Sequence, residues 1–140
     1  MKKLLATLFA LPLVFAAGAQ SRTEVYTFPS EVLGAEKSCT VYLPDGYDRS
    51  LESYPVLYLL HGYGGDYLSW SRIIDLRPLA DACGMIVVCP DGRNSWYWDS
   101  PLDPASQFET FVAQELPDWI DARYLTIPSR EGRAVTGLSM

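Results

Sequence analysis

The sequence predicts an α/β fold, a mostly parallel sheet with helices on both faces, on three observations. Pro55 to Leu60 and Met85 to Cys89 are continuous apolar runs, the pattern of strands buried on both faces. Segments with helical spacing separate and follow these runs, as in a parallel sheet clothed by helices. No stretch rich in Gly, Ser or Pro divides the 140 residues into two domains.

The chain opens with Lys2 and Lys3, an apolar run from Leu4 to Ala17, and small residues through Ala19. This is the pattern of a secretory signal peptide. The run falls short of the about 20 residues that a bilayer requires. Cleavage after Ala19 is therefore expected, leaving residues 20–140, without stable membrane insertion and with a secreted or periplasmic destination. Without Lys2 and Lys3, the 11 basic residues become 9 against 17 acidic ones, a formal charge of −8. Such a surface repels nucleic acid and anionic membranes. Cys39, Cys83 and Cys89 lack metal-type spacing. Buried free thiols are one expectation for them and a Cys39–Cys89 disulfide the other.

Alternation in Glu24 to Phe28 and in Thr40 to Leu43 predicts two half-buried strands near the sheet edge. Pro44-Asp45-Gly46 and the polar stretch from Asp48 to Ser53 read as loops. The first buried strand follows at 55–60. Leu76 to Cys83 is a helix, with Pro78 in its first turn and Gly84 as a left-handed cap. The second buried strand is 85–89. Phe108, Phe111, Val112, Leu116, Trp119 and Ile120 lie at helical spacing, with Ser106 and Glu109 as a capping box and Pro117 predicting a kink. Arg133 to Thr136 is a short strand that runs into Gly137.

Gly137-Leu138-Ser139-Met140 is one residue short of Gly-x-Ser-x-Gly, the strand-to-helix turn that presents a nucleophilic serine. His61-Gly62-Tyr63-Gly64-Gly65 follows the first buried strand. Glycines there let backbone N–H groups approach a developing oxyanion. Each motif alone is more often an ordinary glycine-bounded turn. Both lie after buried strands, where parallel sheets gather their reactive groups, and together they suit acyl transfer. His61 is the only histidine. Embedded in a tight turn, it suits a structural role better than that of general base for Ser139. Asn94 to Ser100 reads NSWYWDS after the second buried strand. Trp96, Tyr97 and Trp98 either stack on a sugar or phenolic ring or pack beneath the loop. Asp91, in a Pro-Asp-Gly turn, and Asp99 are given no catalytic role.

Val41 to Tyr47, Tyr54 to Gly62, Pro90-Asp91-Gly92, Asn94 to Tyr97 and Gly137 to Met140 together resemble the esterase D family of α/β-hydrolases. That family includes feruloyl, acetyl-xylan and tributyrin esterases, S-formylglutathione hydrolases and mycolyltransferases. The resemblance runs from about residue 23 to 140, with the motifs in family order. It implies Ser139 as nucleophile and the N–H groups of Tyr63 and Met140 as the oxyanion hole, with no metal or organic cofactor. It also implies an acid and a histidine downstream of the serine, because the order in this fold is Ser, acid, His. The chain therefore reads as the N-terminal part of a secreted serine esterase, truncated after the nucleophile strand and by itself inactive. A small-molecule or carbohydrate ester is the expected substrate; secretion disfavours a glutathione thioester, and the aromatic loop favours acylated carbohydrate. An acyltransferase of the same family and a non-catalytic glycan-binding protein are the alternatives.

Overall fold

The computed structural model describes residues 20–140, and the expected signal peptide lies outside them. Five strands form one sheet in the order β1-β2-β4-β3-β5. β1 (Arg22–Ser30) and β2 (Ala35–Leu43) make an antiparallel hairpin, and β2 pairs antiparallel with β4 (Ile86–Pro90). β3 (Val56–Leu60) is parallel to β4 and to β5 (Arg133–Gly137). The sheet is thus mixed, and its parallel part carries the motif-bearing loops after β3, β4 and β5.

All residues of β4, the middle strand, are buried, and successive side chains alternate between two cores. Ile86 and Val88 join Val41, Val56, Tyr58, Phe111, Leu116 and Ile120 on one face. Val87 and Cys89 join Tyr42, Leu59, Leu76 and Ala80 on the other. Helices cover both faces for that reason. α1 (Arg77–Cys83) seals the second core, with Pro78 in its first turn and Gly84 as a left-handed C-cap at φ 57°. The face opposite packs against a helical stretch made of α2 (Phe108–Thr110), a π-helical segment Phe111–Glu115 and α3 (Leu116–Asp121).

The long helix is interrupted immediately before Pro117 by a π-helical segment, whose wider turn lies where the proline ring would meet the Ala113 carbonyl. Three local expectations change. Ser106 and Glu109 form no capping box; Gln107 is the N-cap residue and makes no side-chain capping bond. Asp99 supplies the cap from outside the helix, accepting the Thr110 N–H at 3.0 Å and its hydroxyl at 2.5 Å. Cys39 and Cys89 are not bridged. They belong to opposite cores, so their side chains point away from one another, and all three cysteines are free. β2 also begins earlier than its alternation suggests, because its polar start includes Lys37, only 1% exposed and paired with Asp91 at 2.9 Å.

Candidate active site

β5 enters its terminal turn pressed against β3. A Cβ on Gly137 would lie 2.9 Å from Leu60 Cβ, so a larger residue there would push the strands apart. The Leu138 N–H donates to the Leu60 carbonyl at 3.3 Å. Ser139 then adopts φ 61° and is exposed. A side chain in this left-handed region costs about 1–2 kcal/mol, which an ordinary turn avoids by using glycine. A Cβ placed on Gly62 would lie 3.4 Å from Ser139 Cβ and 3.1 Å from the Leu138 carbonyl oxygen. The serine is therefore seated against the Gly62 backbone and not turned into the core.

Gly62 to Gly65 close a β-turn through the Gly65 N–H and the Gly62 carbonyl, 3.1 Å apart. Gly64 at φ 76° takes the left-handed value that the third residue of a type II turn requires. The Gly62 carbonyl also receives His61 Nδ1 at 2.7 Å, while His61 Nε2 accepts the Gly92 N–H at 3.0 Å. These partners assign the imidazole as the Nδ1–H tautomer. With both nitrogens occupied and the residue 2% exposed, His61 holds two loops together. The Tyr63 and Met140 amides have no acceptor among the described residues.

The loop after β4 grips this turn. Besides the Gly92 bond, Asn94 Oδ1 accepts the Gly64 N–H at 2.7 Å, and the Tyr97 hydroxyl donates to the His61 carbonyl at 3.0 Å. Burial pushes the Tyr97 phenol well above its ordinary value, so it stays a donor. Arg93, Trp96 and Tyr97 all have positive φ, at 48°, 60° and 53°. The three aromatics of this loop separate. Trp96 is 60% exposed and its ring centroid lies 6.3 Å from that of Tyr63. Tyr97 packs inward edge-on to His61. A cleft of about 300 Å³ brings Trp96, Tyr97, Ser139 and Met140 together, whereas Trp98, also exposed, is not part of its lining. A larger cavity of about 500 Å³ lies beyond Tyr97, between Pro117 and Val135, and does not reach Ser139.

Asp91 accepts from Lys37 and from the Arg93 N–H at 2.9 Å each. Burial pulls the Lys37 ammonium below its ordinary range, and the bond to Asp91 offsets part of that. Hydrogen bonds from Thr110 hold Asp99 below the usual carboxylate range. Both aspartates are thus occupied in holding backbone and helix. No cluster of metal-ligating side chains occurs among the described residues, and no helix among them is long and apolar enough to cross a membrane. Sequence reasoning missed Asn94; its only local signal is an Asn placed shortly after a Pro-Asp-Gly turn.

Among curated proteins, the chain is similar to Esterase Rv1288 of Mycobacterium tuberculosis (strain ATCC 25618 / H37Rv), 34% identical over 136 residues, covering 94% of this chain and 30% of that protein. It is also similar to the endo-1,4-beta-xylanase/feruloyl esterase of Xylanibacter ruminicola, 35% identical over 127 residues, covering 81% of this chain and 18% of that protein. The chain thus spans a third or less of the length of these relatives. Among solved structures, a ferulic acid esterase superposes with a TM-score of 0.73 at 33% identity, covering 86% of this chain and 51% of that one. The model of the Esterase family, described as "Putative esterase", matches residues 30–140. With the serine turn, the glycine turn and the sheet that joins them in place, the chain belongs to this Esterase family of the α/β-hydrolase superfamily.

Proposed function

We propose that the protein is a secreted serine esterase that hydrolyses carboxylic esters, with acylated carbohydrates as its substrate class, through an acyl-enzyme on Ser139. The observation that carries this reading is the exposed Ser139 at φ 61°, seated against the Gly62 backbone. Ser139 attacks the ester carbonyl, and the amides of Tyr63 and Met140 receive the charge that develops on its oxygen. The nucleophile, acid, histidine order of this fold assigns the acid and the base to residues that follow Ser139 in sequence. His61 is unsuited to the base role because both its nitrogens are already bonded. The exposed Tyr63 and Trp96 rings, tilted 43° to one another, offer aromatic faces to an aromatic acyl group or a sugar. The similarity to an endo-1,4-beta-xylanase/feruloyl esterase and to a ferulic acid esterase supports that substrate class.

The test is hydrolysis of p-nitrophenyl acetate and of feruloylated or acetylated xylo-oligosaccharides by the full-length protein, with covalent labelling of Ser139 by a fluorophosphonate. Ser139→Ala is expected to abolish both. Hydrolysis that survives this substitution would sink the proposal. Binding to xylan without turnover of either ester class would favour a glycan-binding role instead. Ester formation on an added alcohol in place of free acid would assign a transferase.

A further inference from the structure

We propose that Asn94 is a positioning residue of the oxyanion turn, acting through Gly64 on Tyr63. The inference rests on the esterase reading and deepens it. Tyr63 sits between two peptide groups, and each is fixed by a different contact. The Gly62–Tyr63 peptide is held at its carbonyl by His61 Nδ1 and by the Gly65 N–H. Its N–H, trans to that carbonyl, is thereby aimed the opposite way. The Tyr63–Gly64 peptide is the middle of the turn, the unit whose orientation distinguishes type II from type I turns. The Gly64 φ of 76° selects the type II form, and the bond from the Gly64 N–H to Asn94 Oδ1 at 2.7 Å holds it.

An exposed side chain steadies a turn only if its own backbone is fixed, and the Asn94 backbone is. On one side, the Gly92 N–H is bonded to His61 Nε2. On the other, the Ser95 hydroxyl donates to the Gly92 carbonyl at 2.6 Å and Tyr97 donates to His61. Positive φ at Arg93, Trp96 and Tyr97 shows a loop held in a conformation that its residue types disfavour, which persists only where contacts over-determine it. The acceptor is also an uncharged amide. A neutral dipole orients the turn without placing a negative charge beside the site where an oxyanion forms.

Removing the acceptor exposes the Gly64 N–H to water, so folding is barely affected. The Tyr63–Gly64 peptide gains a second orientation, which loosens the Gly62–Gly65 turn that keeps the Gly62 carbonyl, and with it the Tyr63 N–H, in place. Such a loosening acts on the tetrahedral intermediate and not on substrate binding. The experiment compares full-length wild type with Asn94→Ala and Asn94→Ser, on p-nitrophenyl acetate and with a trifluoromethyl ketone that forms a tetrahedral adduct on the serine. The expected result is a kcat lower by about tenfold to a hundredfold, less than the about 10²–10³ seen when a donor is lost outright. KM stays within about twofold, and the ketone Ki rises by the same factor as kcat falls. The melting midpoint stays within about 3 °C. A kcat within about twofold of wild type, or a fall in melting midpoint with a parallel rise in KM, overturns the proposal. Ser139→Ala in the otherwise wild-type protein keeps the two failures apart: hydrolysis that persists there sinks the esterase reading, with Asn94 untouched.

Discussion

The Gly92 backbone N–H donates to His61 Nε2 at 3.0 Å, which ties the loop after β4 to the loop after β3 through one imidazole. Removing the ring leaves the buried Gly92 N–H unpaired and opens a cavity, while the Gly62 carbonyl keeps the Gly65 N–H. An unpaired buried donor costs about 1–3 kcal/mol, and the lost packing adds to it. His61→Ala is therefore expected to lower the unfolding free energy by about 2–4 kcal/mol. Urea unfolding of the full-length protein checks this. A general base would give the opposite pattern, lost turnover at unchanged stability.

Cys39 and Cys89 are expected to resist alkylation in the folded protein, and Cys83 to react. Burial pushes the Cys39 and Cys89 thiols each up to about 12, while Cys83 is exposed. Since the thiolate is the nucleophile, the buried pair carries almost none at mildly alkaline pH. Iodoacetamide treatment followed by peptide mass mapping should modify Cys83 alone in native protein and all three after denaturation. A disulfide-linked Cys39–Cys89 peptide would contradict the assignment of the two residues to opposite cores.

Glu24 should make the fold sensitive to acid. Burial raises its carboxyl, but hydrogen bonds from Tyr124 at 2.6 Å and from Tyr26 and Arg22 at 2.7 Å outweigh this and hold it below its ordinary value. The unfolded chain therefore takes up this proton more readily than the folded one. The stabilisation is fully present above the unfolded carboxylate value of about 4.3 and is lost as pH falls through the lower folded value. Glu24→Gln is expected to be less stable than wild type near neutrality, with the gap closing as pH falls below the unfolded carboxylate value of about 4.3. Denaturant midpoints across that range decide it, and a constant gap would remove Glu24 as the cause.

The parallel heart of the fold was legible because β3 and β4 are apolar on both faces, and that makes their sequences uniform. The approach of Ser139 to Gly62 was legible for a related reason: parallel neighbours deliver their C-terminal loops to one edge. Lys37 was not. A lysine reads as surface unless its partner is known, and Asp91 is 54 positions away in the chain. The same holds for the Asp99 cap, where Ser106 and Glu109 have the right local spacing but the helix starts later and a carboxylate from the preceding loop is closer. Asn94 likewise acts on a turn 30 positions earlier. Local pattern carries local geometry, and contacts formed only when distant loops converge leave no periodic trace.

Ser139 offers a direct measure of what the turn gives up in stability. Its φ of 61° is one that glycine adopts freely and other residues resist, and the exposed side chain makes no hydrogen bond among the described residues to offset the strain. Replacing the serine with alanine keeps the Cβ and so keeps the strain. Replacing it with glycine removes both, at the expense of a more disordered unfolded chain. The left-handed penalty of about 1–2 kcal/mol exceeds the glycine entropy difference of about 0.5–1 kcal/mol. Ser139→Gly is thus expected to be more stable than Ser139→Ala by about 0.5–1 kcal/mol, although both lack the nucleophile. Paired urea melts of the two inactive full-length proteins provide the comparison, free of any effect of turnover or bound product. An alanine variant at least as stable as the glycine variant would mean that the serine turn relaxes out of the left-handed region in solution. Its hydroxyl would then not be held at the Gly62 backbone before substrate arrives.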